Sequence, residues 1–288
     1  MRLRFALVGG DKRQAYLASL LWHDGHRVST YALEKAELPR EIPRAQCLQG
    51  CVYGADCVVL PVPAETGGLI STPLGREALR SDELLASLWE GQRLLGGRLG
   101  DALCLQAIRQ GLRVDDLLFR PAFAVENAAL TAEGAVCELM ANSEKSLWRS
   151  RVLVCGWGRI AKLLTLRLLG LGSAVCVAAR RAEARAEAAV LGAESCGFAR
   201  LEEIIGGFDF LVNTVPARVL DEGALCAVSE GALLLELASA PGGFDRQLAA
   251  NIGLHVIAAP GLPGRCKPLA AAELMKRELE AIIREQED

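Results

Sequence analysis

The stretch that decides the fold is RVLVCGWGRIAKLLTLRLLGLGSAVCVAARRAEARAEA, Arg151 to Ala188. An apolar run, Val152–Cys155, leads into Gly156-Trp157-Gly158-Arg159-Ile160-Ala161, a G-x-G-x-x-A sequence that opens a helical pattern. Gly156 permits the tight turn, Gly158 lets a pyrophosphate approach the backbone, and Ala161 lets the helix lie close to the strand. The first amides of that helix, around Arg159 and Ile160, then face the phosphates. A second apolar run, Ala174–Ala178, is followed by Arg180 and Arg181. An acid at this place hydrogen-bonds a ribose 2′-hydroxyl and repels a 2′-phosphate. Guanidiniums do the reverse, because each grips a phosphate through two charge-assisted bonds. The stretch therefore favours NADP, with NAD as the alternative. The competing account is that both arginines open a solvated helix and pair with Glu183 and Glu187 one turn on.

Towards the C-terminus the strand–helix alternation continues, with apolar runs at Phe208–Asn213, Leu233–Glu236 and Leu254–Ile257. Two loops follow strand ends. LVNTVP places Asn213, Thr214 and Pro216 after one run, and LLELASAPGGFD places Ala238, Ser239, Pro241 and two glycines after the next. Ligands of doubly wound sheets lie across the carboxyl ends of strands, so these loops are expected to line the nicotinamide ribose and ring. Ordinary turn chemistry explains either loop alone. It explains less well why both share an edge with the glycine turn.

Towards the N-terminus lies a second α/β series. LRFALVGG reads as a buried strand, DKRQAYLASLLWHDG as a helix capped by Asp11 and stopped by Gly25, RVSTYAL and ADCVVLPVP as strands, and TGGLISTP as a loop. SDELLASLWEGQRLL reads as a helix opened by Ser81, and DALCLQAI and DDLLFRP as weaker strands. TAEGAVCELMANSEKSLWRS repeats apolar residues at helical spacing, with Thr131 as its cap. The expected architecture is α/β with two doubly wound parallel-sheet domains. Residues 1–128 form a flavodoxin-like domain, rejoined by a C-terminal helix at 266–288. Residues 129–265 form a Rossmann dinucleotide-binding domain, entered through a linker helix at 131–142.

The totals fit this plan. The chain has 288 residues, 51% hydrophobic and 23% charged, which suggests about two soluble domains. The net charge of -3 gives no reason to expect nucleic acid or an anionic membrane as partner. No apolar run approaches the ~20 residues that span a bilayer. Phe5–Val8 is too short for a signal peptide. The ten cysteines contain no C-x-x-C, and a zinc site at Cys47 and Cys51 lacks a second ligand pair. Reduced thiols in a cytoplasmic protein are expected.

Taken together, VGGDKRQ, LPVPAETGGLIST, TAEG, the glycine turn, VNTVP, ELASAPGGFD and APGLPGRCKP resemble, in order and spacing, the A subunit of dipicolinate synthase. ASAPGG followed by APGLPG is the most specific part. That family is related to two-domain 2-hydroxyacid dehydrogenases and S-adenosylhomocysteine hydrolases. The resemblance implies a cytoplasmic enzyme of the mother cell of sporulating bacteria. It implies oxidation of dihydrodipicolinate, or its hydroxylated tetrahydro precursor, to dipicolinate on a branch of the lysine pathway. NADP is the implied acceptor and a smaller B subunit the implied partner. A homo-oligomer is expected besides.

Aromatisation drives such a reaction, so the protein mainly orients the ring and shuttles protons. A dicarboxylate substrate calls for cationic or amide-rich clamps. Arg13 in GGDKRQ is the first candidate, against a surface role on its helix. Ser71 and Thr72 are next, against a turn role before Pro73. Asp11 and Glu133 are the acids placed to act as base or proton relay, against capping roles for both. Where the family commonly reads proline-lysine-threonine-alanine after GLPG, this chain has Pro268 followed by Leu269 and Ala270. Arg265 and Lys267 are placed to substitute for the lost charge. A 2-hydroxyacid dehydrogenase would need a histidine in the second half. The one there, His255, sits in the strand-like run LHVIAAP. His23 and His26 are expected at the surface. A dinucleotide-binding subunit without catalysis is the third possibility.

Overall fold

The computed structural model describes residues 2–285. The chain divides into unit 1, Met1–Asn127 with Pro263–Asp288, and unit 2, Ala128–Leu262. Unit 1 opens with β1 (Arg4–Val8), α1 (Lys12–His23), β2 (Arg27–Tyr31), α2 (Leu48–Val52) and β3 (Cys57–Val59). Three two-residue strands follow: β4 (Glu65–Thr66), β5 (Leu69–Ile70) and β6 (Leu79–Arg80). Then come α3 (Ser81–Ala86), β7 (Arg93–Gly96), α4 (Asp101–Arg109), β8 (Arg113–Asp116) and α5 (Pro121–Ala141), along which the chain passes into unit 2.

The five-stranded sheet of unit 1 runs β2-β1-β3-β7-β8, with every neighbouring pair parallel. Numbered within this sheet the order is 2-1-3-4-5, the flavodoxin-like order, and it reverses between β1 and β3. Successive residues Phe5, Ala6, Leu7 and Val8 are all buried, as a parallel strand covered on both faces requires. One face packs Ala6, Val8, Val58 and Leu94 against Leu48, Leu84, Leu85 and Leu103 of α2, α3 and α4.

Unit 2 continues with β9 (Arg151–Cys155), α6 (Arg159–Gly170), β10 (Ala174–Ala178), α7 (Ala182–Val190), β11 (Glu194–Cys196) and α8 (Leu201–Ile204). It is completed by β12 (Phe210–Asn213), α9 (Glu222–Cys226), β13 (Leu233–Glu236), α10 (Arg246–Asn251) and β14 (His255–Ala258). Its parallel sheet runs β11-β10-β9-β12-β13-β14. Within the sheet that is 3-2-1-4-5-6, the Rossmann order, with its reversal between β9 and β12. Two last helices, α11 (Leu262–Cys266) and α12 (Pro268–Glu285), bring the chain back into unit 1. There α12 packs along α1. Its buried Leu274, Met275, Leu279 and Ile282 fall at helical spacing. Each fully buried residue of this kind contributes about 1.5–3 kcal/mol. Lys276 reaches Asp24 at 2.5 Å, and Arg120 reaches the largely buried Glu278 at 2.6 Å.

Several local expectations change. TGGLISTP is not a plain loop, because β4 and β5 form an antiparallel hairpin extended by β6. SDELLASLWEGQRLL is not one helix. The helix stops at Ala86 with Ser87 as its cap, and after a turn at Gly91, at φ 86, the chain becomes β7. DALCLQAI is the helix α4, which buries Leu103 and Ala107 four residues apart. The helix expected at 131–142 starts ten residues earlier and spans Pro121–Ala141. Thr131 is therefore a buried mid-helix residue rather than a cap. The C-terminal helix starts at Pro268, and residues 286–288 of its expected span lie outside the described residues.

Candidate functional site

In unit 2 the turn after β9 is built by close contacts. Gly156 has φ 105, and a Cβ there would stand 2.5 Å from Thr214 Oγ1. Thr214 in turn donates through its hydroxyl to the Cys155 carbonyl at 2.7 Å, tying β12 to β9 across the point where strand order reverses. Gly158 caps α6 without a side-chain bond, and no acid lies in the first turn. A Cβ on Gly158 would meet nothing within 4 Å. The first amides of this 12-residue helix are thus left for an external anion. Arg159 and Ile160 are its first residues.

Trp157 is buried, with its indole NH donating to Glu187 Oε2 at 2.7 Å. Lys162 donates to the same oxygen at 2.6 Å. Lys162, and then Trp157, hold the Glu187 carboxyl below the usual carboxylate range. The hydrogen bonds of Glu187 therefore go to the glycine turn and α6 and not to the arginines that follow β10. Arg181 meets Glu183 at 3.5 Å with both side chains more than 70% exposed, 72% and 71%. The Arg180 guanidinium has no partner among the described residues. Arg185 Nη1 donates to the carbonyls of Ala179 and Arg180 at 3.0 and 2.9 Å, so this turn is held from behind.

The two loops past β12 and β13 are joined by a residue that reads in the sequence only as a strand end. Glu236, 4% exposed, accepts from Asn213 Nδ2 at 2.7 Å, from the Ala238 amide at 2.9 Å and from the Gly243 amide at 2.8 Å. Asn213 also closes its own turn, donating to the Val215 carbonyl at 2.9 Å and accepting from the Val215 amide at 3.1 Å. Gly243 has to be glycine here, because a Cβ would fall 2.3 Å from Asn213 Nδ2. Ser239 accepts from the Gly242 amide through its carbonyl, and Pro216 is exposed at the tip of its loop. The signal for Glu236 is present in ELAS, an acid ending an apolar strand. One of its partners, Asn213, lies on another strand, which spacing does not show.

Unit 1 has a glycine turn of its own, and it is closed. The Gly10 amide donates to the Ser71 carbonyl at 2.8 Å, and a Cβ on Gly9 would stand 2.7 Å from that oxygen. Ser71 thus acts through its main chain. The Thr72 hydroxyl donates to the Glu77 carbonyl at 3.1 Å, the turn role. Asp11 caps α1 by accepting from the Arg13 amide at 2.9 Å, and it also pairs with the Arg13 guanidinium at 2.8 Å. Arg13 is buried rather than on the surface. The backbone of Gly264 presses on this pair, for a Cβ there would stand 2.4 Å from Asp11 Oδ2. The structure therefore brings GGDKR together with Gly264, the last residue of GLPG. Arg265 is exposed on α11, and Lys267 is half-buried before α12. Glu133 is half-buried in the middle of α5, not in a capping box.

Other residues are settled by their surroundings. His255 is exposed and begins β14, at the amino end of its strand and away from the carboxyl edge where the loops gather. His26 is half-buried, not a surface residue, and its Nδ1 accepts from the Leu3 amide at 3.2 Å. Cys51 is buried beside Ser29 Oγ, and burial pushes its thiol up to about 12, which disfavours the thiolate a zinc site needs. Cys155, next to the glycine turn, is likewise pushed up to about 12 by burial. Among the described residues no group of three metal-ligating side chains forms, and no helix is long and apolar enough to cross a membrane.

An open glycine turn, an uncapped helix start and two loops on the same carboxyl edge of a 3-2-1-4-5-6 sheet define the dinucleotide-binding unit of a dehydrogenase-type fold. D-lactate dehydrogenase from Escherichia coli shares the fold, with a TM-score of 0.64 at 14% identity over 99% of this chain and 97% of that one. Residues 4–118 match the N-terminal domain of the dipicolinate synthase A subunit. The resemblance to this A subunit runs along the whole chain. The Bacillus subtilis (strain 168) protein is 28% identical over 298 residues, covering 98% of this chain and 96% of its own. Its crystal structure superposes with a TM-score of 0.84 at 26% identity, covering 99% and 97% of the two chains. The corresponding protein of Bacillus halodurans superposes with a TM-score of 0.86 at 22% identity, covering 97% of each chain.

Proposed function

We propose that this chain oxidises dihydrodipicolinate, or its hydroxylated tetrahydro precursor, to dipicolinate. NADP is the hydride acceptor, a smaller B subunit the partner, and the mother-cell cytoplasm of a sporulating bacterium the setting. The observation that carries this is likeness to the dipicolinate synthase A subunit over 98% of the chain, through both units. The open backbone at Gly158 and the uncapped start of α6 fit a pyrophosphate, whereas the closed turn of unit 1 does not. When bound, the nicotinamide supplies the hydride acceptor.

The chain's own residues then have these tasks. Gly156 and Thr214 hold the turn, and Arg159 and Ile160 present amides. Trp157 fixes the turn to α7. Arg180 and Arg181 face the ribose 2′-phosphate with guanidiniums that no buried acid neutralises. Asn213, Thr214, Pro216, Ala238 and Ser239 shape the loops that orient the ring. Asp11 and Glu133 move protons, with Arg13 holding Asp11. Ser71, Thr72, Arg265 and Lys267 contribute to holding the dicarboxylate. Purified protein mixed with NADP or NAD and freshly generated dihydrodipicolinate, with and without a B subunit, tests the reading by the ultraviolet absorbance of the aromatic product. Product with NADP supports it. Oxidation of simple hydroxy acids instead marks a 2-hydroxyacid dehydrogenase. NADP binding without turnover under every condition marks a binding subunit.

A further inference from the structure

Resting on that reading, we propose that a cavity of unit 2 flanked by Arg218 and Arg246 is a carboxylate clamp for the substrate, one that takes a small, flat, ring-bearing acid. The cavity has a volume of about 540 Å³ and is walled by Pro241, Phe244, Val256 and Ala258. It adjoins the loops already described. Pro241 belongs to the 238–243 loop, and the amides of Val219 and Leu220 both donate to the Gly243 carbonyl, at 2.8 and 3.0 Å. Arg218 is thereby anchored at the rim by its own neighbours.

Neither guanidinium is committed elsewhere. Arg218 reaches only Asp245, at 3.5 Å, with the two side chains 54% and 46% exposed. Asp245 uses its other oxygen to accept from the Gln247 and Leu248 amides, at 2.9 and 3.1 Å. The Arg246 side chain has no hydrogen bond or ion pair among the described residues. Two guanidiniums against one carboxylate leave the cavity with excess positive charge. A planar fork beside an apolar wall suits a carboxylate attached to a flat ring. Arg13 of unit 1 is less free for that task, because its Nε and Nη2 both donate to Asp11.

The test uses the full chain, as wild type, R218Q, R246Q and, as a control, R200Q, whose arginine is exposed near Glu203. Pyridine-2,6-dicarboxylate affinity is measured by calorimetry, KM for dihydrodipicolinate by turnover, and NADP affinity by titration as the check on folding. The clamp predicts that R218Q and R246Q each weaken dicarboxylate affinity and raise KM at least about ten-fold, the loss expected for a charge-assisted bond. NADP affinity holds in both, and R200Q changes nothing. Unchanged KM and affinity in R218Q and R246Q, with the wild type active, would overturn the clamp and leave the proposed NADP-dependent oxidation standing. A wild type that neither binds the dicarboxylate nor turns over would overturn both.

Discussion

On the function proposed above, Arg180 and Arg181 carry the choice of coenzyme, and their surroundings bear on it. The acids one turn away are an exposed Glu183 at 3.5 Å and a Glu187 already bound by Trp157 and Lys162. Charge at the end of β10 is therefore only weakly compensated, by an exposed Glu183 against Arg181. Replacing both arginines with alanine should lower NADP affinity by about ten- to a hundred-fold, roughly 1.5–3 kcal/mol for lost charge-assisted bonds, and leave NAD affinity nearly unchanged. Parallel fluorescence titrations of the two coenzymes check this. At the same scale, Glu236 satisfies buried donors on two loops. Glu236→Ala leaves the Ala238 and Gly243 amides without acceptors and is expected to cost about 2–4 kcal/mol. Urea unfolding measures the loss, and an unchanged midpoint would show that water replaces the carboxylate without penalty.

At the scale of elements, the two glycine turns diverge. Both follow the first strand of a doubly wound sheet, but Ser71 closes one, whereas among the described residues nothing lies within 4 Å of a Cβ built on Gly158 in the other. Gly158→Ala should therefore fold with a normal unfolding midpoint and bind NADP at least about ten-fold more weakly, since the added methyl meets the ligand rather than the protein. Comparing thermal midpoint with coenzyme affinity separates the two effects. The turn that follows α1, near the α12 contact, carries a pH dependence. Burial lowers the pKa of His26 from its ordinary 6.5, ahead of the opposing pull of Asp24 and Glu280. The unfolded chain then takes up a proton before the fold does. The stability is fully present above pH 6.5 and is lost as pH falls through the lower, folded value. Urea midpoints between about pH 7.5 and 5 should fall for the wild type, with a smaller fall in His26→Gln.

Much of this element pattern is legible in the sequence, because parallel strands buried on both faces announce themselves as unbroken apolar runs such as FALV and VLVC. The misses have physical causes. DALCLQAI alternates like a strand over a few residues, but its buried pair, Leu103 and Ala107, has helical spacing that tertiary packing selects. Thr131 reads as a cap because the helix before it, PAFAVENAAL, has no polar face to announce it. Asn213, Thr214, Ala238 and Ser239 stand at strand ends as their turn residues indicate. The acid that unites their loops is visible only when β12 and β13 lie side by side.

At the scale of the molecule, two sheets of different strand order divide the work. Unit 1, with the order 2-1-3-4-5, encloses a buried Arg13 paired with Asp11 and takes back the C-terminal helix. Unit 2, with the order 3-2-1-4-5-6, leaves its glycine turn open. The proposed function stands or falls with the binding of NADP to unit 2. Calorimetric titration of the full chain with NADP and then NAD, at one ionic strength, is the most direct test. The account predicts that NADP binds at least about ten-fold tighter, with the gap narrowing as salt screens the guanidiniums. NAD binding better than NADP, or neither coenzyme binding, would contradict it.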